Sequence, residues 1–94
     1  MSKKIYKLFL GKMKEPWHQL SEGEQHDLTA KVLAAVEKVG GKRVIMCDPR
    51  WSTEQWHYWG VEEFPDLEAV MEHTKLLAEL NWERYVETMT VLGT

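Results

Sequence analysis

The chain has 94 residues, a formal net charge of −3, 44% hydrophobic and 29% charged residues, and a single cysteine. This composition predicts one globular domain spanning residues 1–94, and its acidic balance argues against a broad electrostatic grip on nucleic acid. A lone cysteine excludes an intrachain disulfide, no apolar run approaches the roughly 18 residues of a membrane span, and no cleavable leader is evident, so the expected location is the cytoplasm.

The first predicted strand covers residues 4–11, KIYKLFLG, which are rich in β-branched, aromatic and aliphatic side chains. A loop containing Pro16 follows. Ser21 and Glu24 then have the spacing of a capping box, in which each side chain satisfies an amide at the start of a helix. Apolar residues repeat at helical spacing from there, and the glycine pair that begins at Gly40 predicts the end of this helix.

The second half of the chain predicts two further strands, a helix and a last strand. Residues 42–48 form the second strand, PRWST is the turn of a hairpin, and the third strand runs from Glu54 to about Glu63. Asp66 is expected to cap an amphipathic helix, since apolar side chains follow it at helical spacing. Asn81 is expected to cap one more short turn, NWER, and residues 85–93 form the fourth strand.

The order strand, helix, strand, strand, helix, strand predicts an α+β, ferredoxin-like βαββαβ fold with a four-stranded antiparallel sheet. Two helices on one side leave the other sheet face free to be polar. Alternation nevertheless gives apolar residues on both faces: Tyr6, Leu8 and Leu10 point one way, and Ile5 and Phe9 the other. An exposed face this apolar predicts that the sheet packs against the sheet of a second copy.

These features resemble the dimeric α+β barrel superfamily. The resemblance rests on the order of elements, the doubly apolar strands and the segment FPDLEAVMEHTKLLAELNWERYVE, and is strongest to small bacterial members of unknown activity. It covers nearly the whole chain but is architectural, without a short diagnostic motif. The superfamily includes cofactor-independent monooxygenases, polyketide cyclases, lactone isomerases, hydroxynitrile lyases and haem-degrading enzymes. The resemblance implies a homodimer and a ligand cavity between sheet and helices or inside the barrel, but no particular chemistry.

Three polar residues on the predicted strands are the candidate catalytic group. In the ferredoxin-like order the first strand lies beside both the third and the fourth, so Lys7, His57 and Glu87 are expected to meet across the sheet. His57 would then be a general acid or base, with the other two orienting it and stabilising charge. The alternative is a structural salt bridge that fixes strand register or the dimer, with His57 hydrogen-bonded to a neighbour.

Five further residues are candidates for substrate binding. Trp59 and Phe9 are large strand aromatics, and Trp51 and Arg50 flank the hairpin turn, where a guanidinium suits a substrate carboxylate. Trp17 lies in a loop that is expected to close over a ligand. The structural alternatives are a turn held by ion pairs at Arg50 and a hydrophobic staple at Trp17.

The sequence predicts no metal and no cofactor. The four histidines share no helical metal-site spacing, His26 and His73 are expected to be exposed, and a haem or metal bound through His57 or His73 is kept only as an alternative. RNA-binding domains share this fold, but their basic, glycine-flanked aromatic signature is missing.

Two hypotheses about function follow. The chain is either a small-molecule-binding, cofactor-independent enzyme of the monooxygenase, isomerase or lyase type, acting on a small apolar or aromatic substrate, or a non-catalytic domain. In the second case its aromatic sheet face serves only dimerisation.

Overall fold

A computed structural model describes residues 3–94. The elements, in chain order, are β1 (Ile5–Met13), α1 (Glu15–His18), α2 (Glu22–Lys38), β2 (Lys42–Cys47), β3 (Tyr58–Phe64), α3 (Leu67–Glu79), α4 (Trp82–Tyr85) and β4 (Val86–Gly93). The four strands form one antiparallel sheet in the order β2-β3-β1-β4. Apart from the short helix α1, where the sequence predicts a loop, this is the predicted element order and sheet, with β1 between β3 and β4.

Local signals fix both ends of α2 where the sequence predicts them. The Ser21 hydroxyl accepts a hydrogen bond from the Glu24 amide at 3.1 Å, and the Ser21 amide donates to the Glu24 carboxylate at 2.9 Å. At the other end Gly40 has a φ of 80°, a left-handed conformation that glycine adopts without a Cβ clash. The predicted capping box and glycine stop are confirmed.

The starts of α3 and α4 were both predicted from a capping residue. Asp66 accepts a hydrogen bond from the Ala69 amide at 2.9 Å, as expected. Asn81 is the N-cap residue of α4, as predicted, but its side chain makes no capping hydrogen bond. Its backbone makes the turn instead, with a φ of 55°, a left-handed conformation that asparagine tolerates better than most residues.

Two strand boundaries differ from the predictions by more than one residue. β1 runs on to Met13, and Pro16 lies in the first turn of the short helix α1, where its missing N–H leaves no bond unmade. The third strand starts at Tyr58 rather than Glu54. The residues before it turn tightly, since the amides of Ser52 and Thr53 both donate to the Pro49 carbonyl at 2.9 Å.

The helices cover one face of the sheet. A compact cluster of Val36, Phe64, Ala69 and Val70 joins α2 and α3 to β3. Beyond Val86, by contrast, every residue of β4 is exposed. Among residues 3–94, no helix has both the length and the apolarity needed to cross a membrane.

Candidate functional site

The strand register decides which side chains face the helices. On β1, Lys7 lies opposite Glu62 of β3, and Phe9 lies opposite Gly60. Lys7, Phe9 and Glu62 are all less than a tenth exposed, whereas Leu8 between them is 37% exposed. Odd-numbered residues of β1 therefore face the helices, and even-numbered ones face away from them.

Two glycines make room for aromatic rings on the helix-facing side of the sheet. A Cβ at Gly60 would stand 2.6 Å from the ring of Phe9, and a Cβ at Gly11 would overlap the ring of Tyr58. The two rings pack against each other with centroids 6.0 Å apart. Because the glycines carry no side chains, the rings lie directly against the strand backbone, and space remains between them and the helices.

That space is a partly enclosed cavity of about 150 Å³ between the sheet and helices α2, α3 and α4. Its apolar lining comes from Phe9, Met13, Val32, Met46 and Leu77, with Tyr58 and Trp82 beside them. Thr88 and Thr90 of β4 also line it and are exposed, so the cavity opens over that edge of the sheet. Four ionisable side chains, those of Lys7, Arg43, Glu62 and His73, complete the wall.

The first pair in this polar cluster joins the central strand to α3. The Nζ atom of Lys7 lies 3.4 Å from Nδ1 of His73, and the two residues are 8% and 2% exposed. The His73 ring also packs on Phe64, with centroids 5.1 Å apart. The packing on one side and the amine on the other hold the imidazole in a defined orientation.

The second pair is an ion pair on the same wall. A terminal nitrogen of Arg43 lies 3.2 Å from a carboxylate oxygen of Glu62, which is 3% exposed. The guanidinium also lies over the Phe9 ring, 5.7 Å from its centroid, where the ring face attracts a cation. Glu62 thus has one direct counter-charge, Arg43, and a second basic group opposite it in the register, Lys7.

Burial shifts each pKa in this cluster in the direction that favours the uncharged side chain. Burial lowers the pKa of Lys7, and the nearby Glu62 opposes that effect only in part. The pKa of His73 falls to about 4, through burial first and then through the positive charges of Lys7 and Arg43. Burial also raises the pKa of Glu62, against the pull of Arg43. At neutral pH His73 is therefore an uncharged imidazole.

Two buried nitrogen atoms in the cluster have no hydrogen-bond partner within residues 3–94. They are Nε2 of His73 and Nε of Arg43. A buried polar atom without a partner costs about 1–3 kcal/mol, so such atoms call for an explanation. Because both atoms lie in a cavity wall, a hydrogen bond to a polar group of a ligand is one explanation.

The predicted cluster of Lys7, His57 and Glu87 is wrong. Lys7 lies opposite Glu62 in the strand register, while Glu87 is exposed on the other face and lies opposite Lys12. His57 precedes β3, and its Nδ1 accepts a hydrogen bond from the Met13 amide at 2.9 Å. Six residues of strand, about 20 Å, separate that amide from Lys7. The prediction failed because it assumed a longer third strand and a different register.

His57 has the neighbour-bonded arrangement that was its structural alternative. Its imidazole takes the place of a backbone acceptor at the end of β1, and its own amide donates to the Gly11 carbonyl at 2.8 Å. The ring thereby ties the hairpin loop to the sheet. Its catalytic role stays a prediction.

Of the five predicted substrate-binding residues, only Phe9 lines the cavity. Trp59 is paired with Leu10, on the sheet face turned away from the helices. Trp51 is 89% exposed in the hairpin loop. Trp17 is half-buried and packs edge-on against Trp82, with ring centroids 6.0 Å apart.

Arg50 is held by its own turn. Its Nε and a terminal nitrogen donate to the two carboxylate oxygens of Asp48 at 2.9 and 2.7 Å. These hydrogen bonds lower the pKa of Asp48 to about 2. This arrangement matches the structural alternative for Arg50, a turn closed by an ion pair.

Sequence reasoning missed His73, Glu62 and Arg43. The prediction that His73 is exposed is wrong, because it shares the buried face of α3 with Val70 and Leu77, three residues before it and four after it. That spacing is visible in the sequence. The places of Arg43 on β2 and Glu62 on β3 are not visible in the sequence, because they depend on the strand register.

The described part of the chain contains no group of three or more His, Cys, Asp or Glu side chains arranged to hold a metal ion. The lysine, arginine, histidine and glutamate of the cavity wall are instead groups that exchange protons or pair with charges. The cluster is therefore suited to acid–base chemistry or to holding a polar organic group.

Comparison with known proteins gives a fold but no family. No family model matches the chain, and no curated protein matches it. A protein of unknown function from Rhodopseudomonas palustris superimposes with a TM-score of 0.70 at 18% identity, over 99% of this chain and 82% of its own. A chlorite dismutase variant from Candidatus Nitrospira defluvii gives 0.75 at 13% identity, over 98% of this chain and 40% of that one.

A third similar structure names the fold. It is a dimeric protein of unknown function from Bacteroides fragilis with a ferredoxin-like fold, and it gives a TM-score of 0.50 at 19% identity, over 96% of this chain and 94% of its own. Likenesses at these identities establish the architecture alone. The predicted ferredoxin-like fold, and the resemblance to α+β barrel proteins at the level of fold, are confirmed.

Proposed function

We propose that this protein binds a small, mostly apolar organic molecule in the cavity between sheet and helices and acts on it as a cofactor-independent enzyme of the isomerase, lyase or monooxygenase type. The observation that carries the proposal is the buried Lys7–His73 contact on the wall of an otherwise apolar cavity. A few polar groups converging on an apolar pocket are typical of small-molecule sites.

The size of the cavity limits the ligand. An apolar cavity of about 150 Å³ in another protein holds a benzene molecule, so a single ring or a short branched chain fits here. The opening past Thr88 and Thr90 leaves room for a small substituent and gives a path for entry. These dimensions favour a substrate of the small aromatic or lactone class.

Proton transfer is the chemistry that the wall supports. A neutral imidazole next to an amine carries both a lone pair and an N–H, so it suits the transfer of a proton to or from a bound molecule. The unpartnered Nε2 of His73 is available for a polar atom of the ligand. We assign the general-base role to His73, in place of His57.

Binding of benzyl alcohol, followed by amide chemical shifts in NMR spectra, tests the proposal. We expect the largest shifts at residues of the cavity wall. Leu77→Trp should fill the cavity and weaken binding at least about tenfold, because the new indole occupies the ligand's place. Leu76→Trp is the matched control on the same helix, outside this cavity. Shifts confined to the uncovered sheet face, or equal binding by both variants, would contradict the proposal.

A second function, dimerisation through the uncovered sheet face, is supported by an apolar patch. Large side chains that the register puts on this face are between a third and just over a half exposed. They are Tyr6, Leu8, Ile45, Met89 and Val91. An exposed apolar patch of this kind is typical of an interaction surface, and the similar Bacteroides fragilis protein is described as dimeric.

The mass of the protein in solution, measured by light scattering, tests this second function. We expect a dimer, and we expect Leu8→Glu to convert it to a monomer because a charge would be buried at the centre of the patch. Leu33→Glu is the matched control, since Leu33 on α2 is also 37% exposed. A wild-type monomer at high concentration, or the same effect from both variants, would count against the sheet interface.

A further inference from the structure

We propose that Lys7 is a carbonyl-reactive amine and that the ligands of this cavity are small aldehydes or ketones, which Lys7 holds as imines. The inference rests on the proposed function of the cavity and names its ligand class.

The surroundings of Lys7 are those of a nucleophile rather than of a salt-bridge partner. The side chain is 8% exposed and lies on the cavity wall. None of the ion pairs formed within residues 3–94 includes it, since Glu62, opposite it in the register, is bonded to Arg43. Its nearest polar atom is Nδ1 of His73, at 3.4 Å. Burial that is not offset by a direct ion pair favours the neutral form of a lysine, which is the form that attacks a carbonyl.

The charges of the wall balance when Lys7 is neutral. Arg43 and Glu62 cancel each other, and the low pKa of His73 keeps the imidazole uncharged at neutral pH. Burial also lowers the pKa of Lys7. In that state the wall carries no net charge, which suits an uncharged carbonyl compound with an apolar body. The apolar rings and thioether of the lining match the rest of such a molecule.

The covalent step needs no further reagent. The lone pair of Nζ forms a bond to the carbonyl carbon, and the π electrons of the carbonyl move to its oxygen. His73 accepts a proton from the new ammonium nitrogen and returns it to that oxygen. Uptake of one more proton and loss of water then break the C–O bond and give an iminium ion. Overall, amine, carbonyl compound and one proton give iminium and water, without oxidation or reduction.

The positive charge that appears on Nζ has a stabilising partner. Glu62 lies directly opposite Lys7 on the neighbouring strand, and its charge already favours a cation at that nitrogen. The iminium then withdraws electrons from the adjacent carbon, and His73, beside Lys7, is positioned to remove a proton there. This is the chemistry of isomerisation and of carbon–carbon bond cleavage next to a carbonyl.

The test uses the full-length protein with benzaldehyde and sodium cyanoborohydride near pH 7. The hydride reagent reduces an imine to a stable benzylamine, so the mass of one benzyl group marks each lysine that formed one. We expect peptide mapping to place it on Lys7 at least about tenfold faster than on the exposed Lys75, because an ordinary lysine with a pKa near 10.4 is less than about 0.1% neutral at this pH. The comparison lies within one sample of wild-type protein and does not depend on a variant that folds.

Variants and a matched alcohol separate this inference from the proposed function. Lys7→Met should abolish the rapid addition, and Lys75→Arg should leave it unchanged. Benzyl alcohol has the shape of benzaldehyde but forms no imine. If benzyl alcohol binds the cavity and all lysines react with benzaldehyde at similar rates, the inference is overturned and the proposed function stands. If benzyl alcohol does not bind and Lys7 is not preferred, both fall.

Discussion

Acid should destabilise this protein through one buried residue, His73. The imidazole is 2% exposed, and its pKa in the folded protein is about 4, against 6.5 for an unperturbed histidine. Below pH 6.5 His73 binds a proton in the unfolded chain but not in the folded chain. Stability is therefore fully present above pH 6.5 and is lost as the pH falls through the window down to about 4.

The size of the effect follows from the two pKa values. The interval between 6.5 and about 4, at 1.36 kcal/mol for each pKa unit, corresponds to roughly 3 kcal/mol. This is a large part of the free energy of unfolding of a typical domain, which is about 10 kcal/mol. Most of the loss should be complete by pH 4.5.

Urea unfolding followed by tryptophan fluorescence, repeated between pH 7 and pH 4, measures this loss. His73→Asn should remove most of the slope of stability against pH in this window. The readout is the slope, so a constant loss of packing from the smaller side chain does not enter. His26→Gln, at an exposed histidine of α2, is the matched control and should leave the slope unchanged. An unchanged slope in His73→Asn, or a loss below about 1 kcal/mol in the wild type, would refute the reasoning.

Two further predictions concern the rest of the cavity wall and use the same urea assay. Glu62→Gln should cost about 3 kcal/mol because it leaves Arg43 without its counter-charge. Glu63→Gln on the uncovered face removes a surface ion pair with Lys4 but keeps an oxygen that can accept from the Tyr6 hydroxyl, so it should cost less than about 1 kcal/mol. Equal losses would contradict the assignment of Glu62 as a buried partner. Gly60→Ala should destabilise by about 1–3 kcal/mol, because the new Cβ meets a ring and a backbone carbonyl at 2.6 Å, whereas Gly23→Ala on α2 meets nothing within 4 Å and should be neutral or slightly stabilising. If Gly60→Ala were tolerated, the Phe9 ring and the strand backbone would have to move aside at little cost, contrary to this prediction.

Local chemistry accounts for what the sequence predicted well. A capping box needs only Ser21 and Glu24, and a helix stop needs only Gly40, so these features can be read without knowing the rest of the fold. Alternation along β1 likewise separates Lys7 and Phe9 from Leu8, whatever the strand's neighbours are. The element order follows from these local signals, and the fold follows from the element order.

The candidate site depends on long-range register, which the sequence does not display. His57 looks like a strand residue, but the tight turn at Pro49 delays β3 to Tyr58 and leaves the histidine at the end of the sheet. The register of β1 and β3 then puts Glu62, rather than the predicted histidine, opposite Lys7. The aromatic residues 51–59 are also divided, because 51–57 precede the strand and alternation puts Trp59 on one sheet face and Tyr58 on the other.

The polar cluster is hard to explain as a device for stability. A buried ion pair is often no better than apolar residues of the same size, and a buried lysine and histidine without counter-ions are worse. The same helices and sheet form a purely apolar contact nearby, where Val36, Phe64 and Val70 pack together. The fold can therefore close this layer with apolar side chains, yet at the cavity it keeps Lys7 beside His73 with a nitrogen left unpartnered. Groups that weaken a small domain, and that line space large enough for one ring, are better accounted for by a molecule that uses them.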